Sequence, residues 1–91
     1  MTFLLFAIVV AAVNTRLQSA DLNDLTDAGN YFIVSASSNY PSNFSQYLGV
    51  EVKVFSGTIV QTAYCTGEVS KYAYVRKYTV YHGWTSWASL D

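Results

Sequence analysis

The sequence predicts a mainly β fold, a small antiparallel sheet or sandwich of about four to five strands with a short helical segment near its start. Three stretches carry this. Val50, Val52 and Val54 alternate with Glu51 and Lys53, the period-2 signature of a half-buried strand. Ser56-Gly57 then interrupts the run before a second β-prone stretch at residues 58–64, and two such runs around a short break read as a hairpin. Residues 71–81, KYAYVRKYTVY, alternate again, with Tyr72, Tyr74, Arg76 and Tyr78 on one side and Ala73, Val75, Lys77 and Thr79 on the other.

In chain order, residues 3–13, FLLFAIVVAAV, form an unbroken apolar run. It is shorter than the roughly 20 residues a helix needs to cross a bilayer. Its length suits a signal-peptide core, yet no Lys or Arg precedes it. Three readings stand side by side: an export signal, a segment packing on a neighbouring chain, and the edge of a truncated reading frame. Contact with a membrane is expected only if residues 3–13 act as a signal or anchor. Residues 14–20 read as a polar connector. Asp21 is placed to cap a short helical turn that buries Leu22 and Leu25, three apart. Gly29 is expected to end that turn with a positive φ. Residues 31–36 form the next strand, and residues 37–46, SSNYPSNFSQ, the clearest loop. Two units result, an apolar N-terminal segment at residues 1–18 and a β module at residues 19–91.

Ninety-one residues make one domain, and a chain of that size buries only about 60–65% of its unfolded surface. Charged residues are 12% of it, against about 25% in a typical domain. Apolar residues are 52% and aromatic residues 16%. Part of this charge-poor, tyrosine-rich surface is therefore expected to be a binding face or to be covered by another chain. The five Lys and Arg are scattered and the net charge is −1, which argues against nucleic acid as a partner. A single cysteine, Cys65, rules out an internal disulfide framework and a Cys-rich zinc site. His82 is the only histidine, and nothing around Cys65 suggests an activated thiol. Asp21, Asp24 and Asp27 read as caps and turn formers, because the calcium-loop pattern is absent. No catalytic residue, metal site or cofactor is expected.

Several fragments then fall into one order. Asp21-Leu22-Asn23-Asp24-Leu25 is followed by Gly29 and Tyr31-Phe32-Ile33. Asn39-Tyr40-Pro41-Ser42, Gly49-Val50-Glu51-Val52 and Ile59-Val60-Gln61-Thr62 come next. Tyr74-Val75-Arg76 and Gly83-Trp84-Thr85-Ser86-Trp87 close the series, with Leu90 after it. In this order and spacing the chain resembles the small knob modules near the ends of bacteriophage tail fibres and R-type pyocin fibres, from about Ala20 to Leu90. One departure is Ala28, where the family usually has a proline. The resemblance implies a non-catalytic receptor-binding module of a virion tail fibre, recognising glycan or protein on a bacterial host and assembled as a homotrimer. A trimer-stabilising spacer module and a secreted, adhesin-like protein are the alternatives.

Within that resemblance, Tyr40, Tyr74, Tyr78, Trp84 and Trp87 are the candidate ligand contacts. For the two tryptophans and the tyrosine series, core or interface packing is the stronger competing role. Trp84 and Trp87, three apart in an extended segment, are expected on opposite faces, one in the core and one partly exposed. Gln61 and Arg76 are read as structural polar residues. Gln61 would bond backbone across the sheet and Arg76 would brace a carbonyl or carboxylate, since polar groups in a small core must be paired.

Overall fold

The computed structural model describes residues 14–41, 47–66 and 72–90, with main chain alone at 36 and 37. Residues 3–13, and residues 42–46 of the loop at 37–46, fall outside them. The fold is mainly β. It consists of β1 (Thr15–Asp21), β2 (Gly29–Ser38), β3 (Leu48–Phe55), β4 (Thr58–Cys65), β5 (Ala73–Thr79), β6 (Gly83–Trp84) and β7 (Ala88–Ser89), with one 3-10 turn at Leu22–Asp24. All seven strands belong to one sheet, in the order β1-β2-β3-β4-β5-β6, and β7 shares the β5 edge with β6.

The expected hairpin is β3–β4, in continuous antiparallel register from Leu48↔Cys65 to Phe55↔Thr58. Its turn residues, Ser56 and Gly57, have φ of 46° and 88°. Positive φ at both positions is the twist a two-residue hairpin needs. The strand expected at residues 71–81 is β5, shortened at both ends.

Four expectations change. The sheet has more strands than four or five, because two-residue segments complete the β5 edge and residues 15–21 add β1. β1 is a strand rather than a connector. It pairs parallel to β2, from Thr15↔Tyr31 to Asp21↔Ser38, so the sheet is not purely antiparallel. Gly29 opens β2 and is not among the positive-φ residues. The Tyr31 hydroxyl packs beside it and donates 2.8 Å to Asp27 O.

One sheet buries a core by curling around the connector between its two parallel strands. Residues 22–28 run across the inner face, and Leu22 and Leu25 fill it. Beneath them lie two cross-strand rows, Tyr31–Val50–Ala63–Tyr74 and Val52–Gln61–Arg76, with Ile33, Leu48 and Cys65 alongside. The outer face carries the alternate residues, including Phe32, Gly49, Glu51, Tyr64 and Val75.

Candidate functional site

A connector laid on the inside of a sheet turns main-chain carbonyls toward apolar surroundings, where each needs a donor. Gln61 supplies it. Its side chain is 0% exposed, and Nε2 donates 2.6 Å to Leu22 O and 2.9 Å to Leu25 O. Its Oε1 accepts from Arg76 Nε at 2.8 Å. Arg76 sits opposite Gln61 in the β4–β5 ladder and is 6% exposed. Its guanidinium lies over the Trp84 ring at 3.9 Å and over the Trp87 ring at 4.6 Å.

Burial pushes the Arg76 pKa down from its ordinary value to about 10, with the charge of Asp21 opposing the fall. The group therefore stays cationic at neutral pH. Two indole faces compensate its lost hydration by cation–π attraction, and Nη2 finds no hydrogen-bond partner among the described residues.

The circuit closes on the far side of the connector. Trp87 Nε1 donates 3.0 Å to Asn39 O, and Asn39 Nδ2 donates 2.7 Å to Asp21 Oδ1. Asp21 is the N-cap of the 3-10 turn, accepting from Asn23 N at 2.9 Å. Asn39 holds φ = 61°, a left-handed conformation that asparagine tolerates better than most residues.

The Asn39 amide, then the Asn23 N–H, hold the Asp21 carboxyl below the usual carboxylate range, and partial desolvation opposes them. A lowered folded pKa favours the ionised form in the folded state. The resulting stability is complete above the unfolded value near 4 and is lost as pH falls through the folded value. Asn at this position keeps an acceptor but has no charge to lose. The urea midpoint of the wild type is expected to fall further between pH 5 and pH 2 than that of Asp21→Asn. Equal losses in the two proteins would show that Asp21 ionisation contributes nothing.

Trp84 and Trp87 do not take opposite faces. Past β6 the ladder stops: Thr85 N donates 2.9 Å to Lys77 O while Lys77 N donates 3.1 Å to Thr85 Oγ1. Residues 85–87 leave strand geometry, the period of two lapses, and both indoles reach the same guanidinium. Tyr74 is 5% exposed and belongs to the core, where its ring offers almost no surface to a ligand. Tyr78 packs on Trp84 with ring centres 5.4 Å apart. With Asn23, Thr26 and Ile59 these two rings line a depression of about 270 Å³. Tyr40 is exposed beside buried Pro41. Among the described residues no cluster of three His, Cys, Asp or Glu side chains is placed to hold a metal ion, and none of the helices there is long and apolar enough to cross a membrane.

The sequence reading did not select a second feature, on the outer face. Phe32, Gly49 and Tyr64 stand opposite one another across β2, β3 and β4. The glycine floors a depression of about 200 Å³ between the two aromatics, with Asn14, Asn30 and Glu51 at its margin. Phe32 stacks on Tyr47 with ring centres 5.9 Å apart and planes within 8°. Only the strand register aligns these residues, so no local pattern could have found them.

Compared with protein families, with curated proteins and with solved structures, the chain finds no match in any of the three.

Proposed function

We propose that the chain is a non-catalytic recognition module of a phage or phage-like tail fibre, engaging glycan or protein on the surface of a bacterial host. One observation carries the reading. Seven of the residues that carry the fibre-knob resemblance, Asp21, Leu22, Leu25, Gln61, Arg76, Trp84 and Trp87, lie far apart in sequence. In space they form one connected network of hydrogen bonds and ring contacts. That network supports the reading by making the scattered motif one structural unit.

The network also divides the labour. The network residues hold the inner face together, and recognition falls to the loop bearing Tyr40, the depression beside Tyr78 and Trp84, and the outer sheet face. A spacer or trimer-stabilising module is the second reading. It is favoured by the same network, because Trp84, Trp87 and Tyr74 are engaged in packing.

The test is saturable binding of the full chain, fluorescently labelled, to a panel of bacterial strains and their purified surface polysaccharides, with mass measured by light scattering. Binding to a subset of strains is expected, reduced by substitutions in the loop at 37–46. A trimer that binds no strain would overturn recognition in favour of the spacer role.

A further inference from the structure

We propose that the Gly49-floored depression on the outer face is a saccharide subsite for one pyranose ring, an inference that rests on the recognition reading above. The argument begins with the glycine. Gly49 lies inside β3, where a glycine weakens the strand and often marks close approach of a ligand. Neither usual structural demand explains it. Its φ is not positive, and a Cβ would meet nothing nearer than Tyr64 Cβ at 3.9 Å, which is ordinary contact. Backbone and packing both accept a side chain at this position, and its absence leaves a hollow.

The walls of the hollow have the chemistry of a sugar ring. Phe32 and Tyr64 stand on either side of Gly49 in register, and Tyr47 extends the aromatic surface by its stack on Phe32. Tyr47 and Tyr64 are 41% and 47% exposed, so their ring faces are open to C–H groups of a pyranose. Asn14, Asn30 and Glu51 supply amide donors and acceptors and a carboxylate acceptor for hydroxyls. At about 200 Å³ the hollow is smaller than the roughly 300–1,000 Å³ of drug-sized sites, which suits one ring of a longer chain. Glu51 at the rim is balanced by Lys53, whose Nζ lies 3.9 Å from Oε1, and Arg16 stands beside Phe32 in the same outer row, so neutral and acidic sugars are both to be compared. Affinity for a lone ring should be on the order of millimolar, because so few atoms make contact.

The experiment uses the full chain, isotope-labelled, titrated with glucose, galactose, N-acetylglucosamine and glucuronate and followed by amide chemical shifts. Gly49→Val, which fills the floor, and Tyr64→Ser are compared with Tyr81→Ser, a control in the exposed turn at the opposite end of β5. Shifts centred on residues 30, 49, 51 and 64 are expected with at least one of these sugars. They should be lost, with affinity at least tenfold weaker, in Gly49→Val, whose urea midpoint should not fall. Polysaccharide binding that survives in both Gly49→Val and Tyr64→Ser would overturn the subsite and leave the recognition reading standing. Strain binding that polysaccharide does not compete would do the same and point to a protein receptor. A change of oligomeric state in Gly49→Val without any sugar response would make the hollow a contact between copies of the chain. A failure of every strain and polysaccharide to bind would overturn the recognition reading itself.

Discussion

Gln61→Ala is expected to cost about 3–5 kcal/mol, most of the stability of a domain this small. An unsatisfied buried polar group costs about 1–3 kcal/mol, and this truncation creates more than one. Leu25 O loses its side-chain donor, Arg76 Nε loses its acceptor, and a void opens where the side chain was fully buried. Leu22 O is partly protected, because Leu25 N also donates to it at 3.2 Å. Domains have about 5–15 kcal/mol in total, so the variant should be partly unfolded in mild denaturant. Gln61→Glu separates the two halves of the role. It keeps an acceptor for Arg76 and sets carboxylate against two carbonyl oxygens, so it should be destabilised although it adds an ion pair. A urea midpoint for Gln61→Glu at or above that of the wild type would show that the connector carbonyls do not need this donor.

Arg76 gives the second large effect. Its side chain does two things at once: the in-plane Nε–H serves Gln61, and the flat cation lies over both indoles. Lysine keeps the charge without the planar fork, and methionine keeps much of the length without either. Arg76→Lys and Arg76→Met are each expected to lose about 2–4 kcal/mol, the range of an unpaired buried acceptor added to lost ring contact. The decisive comparison is Gln61→Leu with Arg76→Met. Removing both partners leaves no orphan between them, so the double variant should be more stable than the sum of the two single losses by about 1 kcal/mol or more. Additive losses would mean that the Gln61–Arg76 bond carries no energy of its own.

The sequence reveals those parts of this fold that have local signatures. The β3–β4 hairpin announces itself by alternation and a Ser-Gly turn, and β5 by its tyrosine ladder. The Asp21 cap with Leu22 and Leu25 follows from spacing on a single turn. β1 has no such signature, since Thr15–Asp21 reads TRLQSAD and offers only Leu17 and the small Ala20 to the core. Its strand character comes from pairing with β2, which no window of sequence contains. The side taken by Trp87 is equally non-local, fixed by the break in the ladder at Thr85. The outer hollow combines both difficulties, because Phe32, Gly49 and Tyr64 become neighbours only once two registers are set.

The contact between Trp87 and Asn39 spans 48 positions, and those between Gln61 and the connector span 39 and 36. Pairings this remote make closure of long loops a condition for the first rewarding contacts, which places the domain among slow-folding topologies, in the millisecond-to-second range. On the ribosome the order is stricter. Arg76 lacks its aromatic cover, and Asn39 O its indole donor, until residues 84–87 have left the exit tunnel. The connector and the sheet therefore wait, half-assembled, for Trp84 and Trp87. A nascent chain arrested before Trp84 should be protease-sensitive along its whole length, and one arrested well beyond Leu90 should be resistant.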